Sequence, residues 1–122
     1  IAILRSPRYQ NQFINYKFLK NYNDLLFVGK TDEYNELKKE IENLEYYNCH
    51  NFLEMAQIIK ASRIFIGNSS LGMTLAEAIK TPRLLEACPG FPAAQVHGLN
   101  AYDFYFQSDF ENFFQILYEK TK

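Results

Sequence analysis

A layered α/β fold, with helices on both faces of a parallel sheet of about five strands, follows from three features of this 122-residue sequence. Its apolar residues collect in short consecutive runs, the pattern of parallel strands buried on both faces. Helical periodicity fills the intervals between the runs. The two alternate at intervals of roughly 20 residues, as βα units joined by crossovers require. The expected architecture is a Rossmann-like three-layer sandwich, with residues 1–122 forming one domain.

Five runs read as strands: Ile1–Leu4, Leu25–Val28, Leu44–Tyr47, Arg63–Ile66 and Arg83–Ala87. Between them, Asp32–Ile41 places Tyr34, Leu37 and Ile41 on one helical stripe. Asn51–Ala61 does the same with Phe52, Met55, Ala56 and Ile59, and Asn51 is a good N-cap. Leu71–Lys80 carries Leu71, Leu75, Ala78 and Ile79, and Thr81-Pro82 ends it. Gln12–Lys20 has a weaker helical pattern. The last helix starts at a capping box, Ser108-x-x-Glu111, and its stripe of Phe110, Phe113, Phe114 and Leu117 is expected to pack on the sheet. The long segment Cys88–Phe106 reads as a loop at the carboxyl edge of the sheet. Its Tyr102, Phe104, Tyr105 and Phe106 read as a docking segment, partly buried here or against another part of a longer protein.

Composition narrows the function. The chain is 48% apolar and 16% aromatic, which suits a packed globule, and a net charge of −1 gives no footprint for nucleic acid. No apolar run approaches the ~20 residues of a membrane span. Cys49 and Cys88 share no metal-ligand spacing and read as free thiols in a reducing, cytoplasmic setting. The chain opens on Ile1, directly in strand-like sequence, as expected for the C-terminal part of a longer protein.

Chemistry concentrates in Gly67-Asn68-Ser69-Ser70, between the fourth strand and the third long helix. Ligands of open α/β sheets bind outside the carboxyl ends of the strands. A helix start there offers unpaired N–H groups and partial positive charge to a phosphate. Gly67 permits a sharp turn, Asn68 tolerates unusual backbone angles, and Ser69 and Ser70 bring hydroxyls. Asn68-Ser69-Ser70 also spells an N-glycosylation acceptor, but a buried strand-to-helix turn is a poor one. Ser70, Thr74 and Glu77 share one helix face, so Glu77 lies about two turns, or roughly 10 Å, from the anion site, close to the distance from a diphosphate to a nucleoside ribose and in reach of sugar hydroxyls. Arg5 and Arg8 follow the first strand at the same edge and suit a diphosphate. Lys30 stands after the second strand, where Asp32 reads as a helix cap. His97 lies in the long loop, suited to a donor phosphate or a cleft wall. Glu86, ending the fifth strand, suits either a ribose or a neighbouring cation.

The stretch FIGNSSLGMTLAEAIKTPRLLE resembles the nucleotide-sugar-binding half of GT-B glycosyltransferases. It is most similar to the ADP-heptose:lipopolysaccharide heptosyltransferase-like family, with its Asp-(Ser/Thr)-Gly-x-x-His turn and Ala-rich helix ending at Pro. LAEAIKTP matches that ending, and Asn68-Ser69-Ser70 stands where the Asp-Thr-Gly would be. The resemblance implies a nucleotide-diphosphate sugar as donor, no resident cofactor or metal, and an N-terminal acceptor domain elsewhere in the protein. It also leaves room for peripheral membrane association of the full enzyme, with this segment inactive by itself. The chain departs from the pattern: Asn68 replaces the aspartate, Ser70 or Leu71 the glycine, and Met73 or Thr74 the histidine. The general class follows from the resemblance; ADP-heptose as donor does not. The catalytic base is not assigned.

Two rivals share the fold class. A UDP-sugar 2-epimerase-like half has a similar serine-containing turn, but with two glycines that are missing here. A non-catalytic module of the receiver type needs paired acidic residues after the first strand and an aspartate after the third; Arg5-Ser6 and Asn48-Cys49 stand there instead.

Overall fold

The computed structural model describes residues 1–91 and 95–122. Six strands form one all-parallel sheet: β1 (Ala2–Leu4), β2 (Leu26–Phe27), β3 (Glu45–Tyr46), β4 (Phe65–Asn68), β5 (Arg83–Glu86) and β6 (Ala101–Phe104). Their spatial order is β3-β2-β1-β4-β5-β6. The helices are α1 (Thr31–Lys38), α2 (Phe52–Ala61), α3 (Leu71–Ile79) and α4 (Gln107–Lys120), with a 3-10 turn at Lys17–Asn21.

Alternation along the strands builds two cores, because neighbouring side chains leave opposite faces of the sheet. Ile3, Phe27, Ile66 and Leu84 join Leu37 of α1, Leu19 of the 3-10 turn and Phe110, Phe114 and Leu117 of α4 on one face. Ala2, Leu4, Phe65 and Leu85 join Ile59 of α2 and Met73 and Ala76 of α3 on the other. The expected three layers are therefore present. The aromatic stripe of α4 is core: Phe104 stacks on Phe110 with centroids 4.1 Å apart.

The elements differ from expectation at four places. A sixth strand, β6, lies inside the segment read as a long loop. Asn100, at φ 59°, and Gly98, at φ 99°, turn the chain into it, and only one of its four residues is buried. An edge strand needs no consecutive apolar run, so the signal used for the others was absent. The weak helix at Gln12–Lys20 is reduced to the 3-10 turn, and the backbone before it is held from outside: Tyr16 N donates to Glu40 Oε1 and Asn15 N to Gln107 Oε1. α4 begins at Gln107, with Phe106 at the cap position, so Ser108 stands inside the first turn and makes no capping box. α1 begins at Thr31, one residue before Asp32, and Glu33 accepts from Lys30 N at its start. The cap at Asn51 is present, with its side chain accepting from Glu54 N at 2.9 Å.

Order reversal places the start of the sheet's second half against its first strand. β1 leads to β2 on one side, while β4 lies on its other side. The carboxyl ends of β1 and β4 therefore flank the topological switch point, where α/β sheets open a ligand crevice. Close approach there depends on two glycines. A Cβ at Gly67 would stand 2.3 Å from Leu4 O. One at Gly72, in the first turn of α3, would stand 2.8 Å from Phe65 Cζ and 3.0 Å from Leu4 Cδ1. Gly72 thus seats α3 on the strands.

Candidate functional site

The loops after β1 and β4 are fastened together by one side chain. Asn68, fully buried, accepts from Ser6 N at 2.9 Å and donates through Nδ2 to Ser6 O at 2.8 Å and Arg8 O at 2.7 Å. Both ends of the amide are used, so Asn68 builds the turn. An aspartate there would bring no donor for the two carbonyls.

Next to this staple lies a second buried polar cluster. Glu86 receives Arg5 Nε and Nη2 in a two-pronged contact, both at 2.8 Å. It also accepts from Asn11 N at 2.6 Å and Tyr16 OH at 2.8 Å. Arg5 reaches the Asn11 and Ile14 carbonyls as well and lies over the Tyr16 ring. Burial alone would depress the Arg5 guanidinium, but the hydrogen bond with Glu86 and the charges of Tyr16, Glu86 and Glu40 together outweigh it and leave it raised. Burial likewise lifts the Tyr16 hydroxyl well above its ordinary range, with the Glu86 charge adding to it. Arg5 is therefore committed to the fold, and of the two outcomes open to Glu86, the cation partner is the one formed.

Beyond these clusters a crevice of about 660 Å³ opens between the β1 loop, the end of β2 and the starts of α2 and α3. Arg8 and Lys30 line it from facing loops, and among the described residues neither forms an ion pair. Ser69, Ser70 and Thr74 line it from α3. Ser70 is the cap residue of α3, yet its hydroxyl caps nothing; Oγ is buried and has no hydrogen-bond partner. Buried polar atoms are nearly always paired, so an orphan at a helix start in a crevice marks a place prepared for something else. Phe52 and Met55 of α2 supply an apolar wall opposite, and Phe52 is 68% exposed.

The α3 face expected from the spacing is formed. Ser70, Thr74 and Glu77 line a second depression of about 550 Å³ along the helix. Glu77, however, already has protein partners. Its Oε2 takes Arg83 Nε, its Oε1 accepts from His97 N at 2.9 Å, and Lys80 Nζ lies 3.7 Å away. Burial acts to raise the Glu77 carboxyl, but Arg83 and the His97 amide together hold it below the usual carboxylate range. Arg83 is fully buried and spans from Glu77 to the Thr81 and His97 carbonyls, tying the loop before β6 to α3. Asp103 closes the same strap by accepting from Val96 N, and burial raises its carboxyl. His97 contributes its backbone to this strap; its side chain lines neither depression.

Of the residues singled out in the sequence, Arg8, Ser69, Ser70 and Thr74 come together at the crevice. Gly67 and Asn68 shape it from beneath, Glu77 borders the second depression, and Arg5 and His97 serve the scaffold. Tyr102 and Phe104 are packed against α4, whereas Tyr105 and Phe106 are exposed, so the expected docking segment is divided. Phe52 and Met55, read only as core stripe, were missed as crevice wall. The signal was present: with Asn51 as cap, Phe52 opens a helix that follows a strand and must stand at the carboxyl edge.

Among the described residues no cluster of His, Cys, Asp or Glu suits a metal ion, and no helix is long and apolar enough to cross a membrane. No protein-family description, curated protein or solved structure matches the chain.

Proposed function

We propose that this chain binds a nucleoside-diphosphate sugar and is the donor-binding domain of a GT-B glycosyltransferase. The observation that carries the reading is the unpartnered, buried Ser70 Oγ at the start of α3, in a crevice edged by Arg8 and Lys30. A diphosphate offers what this arrangement lacks. Its oxygens accept from the free N–H groups of the α3 first turn and from the Ser70 hydroxyl, and its charge meets both cations. The nucleoside then extends toward α2, where Phe52 presents an open ring face to the base and Met55 lies beside it. A volume of about 660 Å³ is in the usual range for such a ligand. The same groups would stabilise a leaving diphosphate during transfer.

The choice of a sugar nucleotide over a plain nucleotide is supported by the resemblance of FIGNSSLGMTLAEAIKTP to the GT-B donor-binding half. By the same reading, the acceptor site and the catalytic base belong to a partner half. This chain alone binds without transferring.

The test is a thermal-shift titration with UDP, GDP, ADP and CMP. At about ten times Kd, one of them should stabilise the chain by ~1.4 kcal/mol, a shift of roughly 5 °C. The doubly substituted Arg8→Ala, Lys30→Ala chain should keep its melting temperature and lose the shift. Absence of any shift with all four nucleotides sinks the reading.

A further inference from the structure

The start of α3 stands between two depressions. The crevice on the α2 side and the second depression along α3 share Ser69, Ser70 and Thr74, so they meet at the unpartnered Ser70 hydroxyl. Their walls differ in kind. The α2 side adds the apolar Val28, Phe52 and Met55, together with Arg8, Lys30, Glu33 and Asn48 at its edge. The α3 side adds Glu77, Lys80 and Gln95, which supply both donors and acceptors, above an apolar floor at Leu85.

A nucleoside-diphosphate sugar has the same division: a flat, largely apolar ring, a diphosphate, and a ring bearing hydroxyls. Sugar hydroxyls need acceptors as well as donors, and the α3 side offers both without an aromatic ring, whereas the α2 side carries the exposed Phe52 ring that suits the base. Glu77 is suited to the task because its existing partners orient it. Arg83 Nε and His97 N occupy one position on each oxygen, whereas a carboxylate has about four acceptor positions. The side chain remains 27% exposed toward the depression. Lys80 Nζ and the Gln95 amide have no hydrogen bond within the described residues, and both groups are exposed.

We infer that the sugar arm of the ligand lies in the depression along α3, against Thr74, Glu77, Lys80 and Gln95, with the diphosphate bent over Ser70. This rests on the donor-binding reading and specifies where its two ends go. It also sets a limit on the sugar. A pyranose carrying hydroxyls fits walls that both give and accept hydrogen bonds, while a second carboxylate on the sugar would face Glu77.

Amide chemical-shift mapping distinguishes the two claims. The chain is titrated with each nucleoside diphosphate and its sugar conjugate in turn: UDP and UDP-glucose, ADP and ADP-glucose, GDP and GDP-mannose. The nucleoside diphosphate that binds should move Ser70–Met73 and the start of α2. Its conjugate should add shifts at Ala78–Lys80 and Gln95. Gln95→Ala should weaken the conjugate about five-fold and leave the parent nucleotide within about two-fold. Added shifts confined to Arg8 and Tyr9, no added shifts at all, or equal weakening of both ligands would overturn the placement while leaving the phosphate site standing. If no nucleoside diphosphate moves Ser70–Met73, the donor-binding reading itself fails, and the placement with it.

Discussion

Asn68 and Ser70 lie two residues apart in one turn, and they have opposite fates. Asn68 uses both ends of its amide on the β1 loop, while the Ser70 hydroxyl is buried and uses nothing. The same division separates the two arginines of the β1 loop. Arg5 is gripped by Glu86, whereas Arg8 faces the crevice without an ion-pair partner among the described residues. One side of this sheet edge is committed to building the fold. The other is held open on that rigid base, as a preorganised binding site requires. Polar residue types alone do not separate the two sides; the partners they find do.

Substitutions test this division by their cost. The largest loss belongs to Glu86→Ala, which leaves the mostly buried Arg5 guanidinium among carbonyls and the Tyr16 ring, with only the more distant Glu40 carboxylate, at 3.8 Å, to face it. Breaking a buried pair from one side costs roughly 3–5 kcal/mol, readable in denaturant unfolding. Asn68→Asp comes next, at about 2–3 kcal/mol, because the Ser6 and Arg8 carbonyls lose their donors and meet a carboxylate instead. A cost near zero for either would place these residues on the open side and break the comparison.

Glu77 gives a smaller, pH-dependent effect. Its folded carboxyl is held below the ordinary value of 4.5 by Arg83 and the His97 amide, against the opposing effect of burial. The unfolded chain therefore binds the proton more readily, and stability rises with pH through this range. The contribution is complete above the ordinary carboxylate value and is lost as pH falls through the depressed folded one. Stability measured against pH should lose part of its acid limb in Glu77→Gln; an unchanged acid limb would mean the contact with Arg83 is not formed in solution.

The smallest stability change belongs to Ser70→Ala. Replacing a serine that caps a helix ordinarily costs ~1 kcal/mol. Here the hydroxyl caps nothing, so the expected change is within about 0.5 kcal/mol, and removing a buried orphan is as apt to stabilise as to destabilise. A full capping loss would show that the hydroxyl serves the helix.

The sequence carried the layers well, because consecutive apolar runs and 3.6-residue periodicity are local signals. RIFI, RLLEA and LGMTLAEAI each announce a strand or helix without knowledge of the rest. β6 escaped because an edge strand is buried by few residues. The roles of Arg5, Asn68 and Glu86 escaped for another reason. Arg5 and Glu86 are 81 positions apart, and Asn68 lies 62 from Ser6, so the pairing depends on how β1, β4 and β5 align. Ser70 could be named from the turn, but its lack of a partner is a property of packing alone.

The central claim is that the open side of the edge holds a diphosphate at the start of α3. Its most direct test is an amide chemical-shift titration of the intact chain with pyrophosphate, repeated for Ser70→Ala. The account predicts the largest shifts at the Ser70–Met73 amides and weaker binding, by about five-fold, in a Ser70→Ala chain of unchanged stability. Shifts centred elsewhere, or equal binding by both chains, would contradict it.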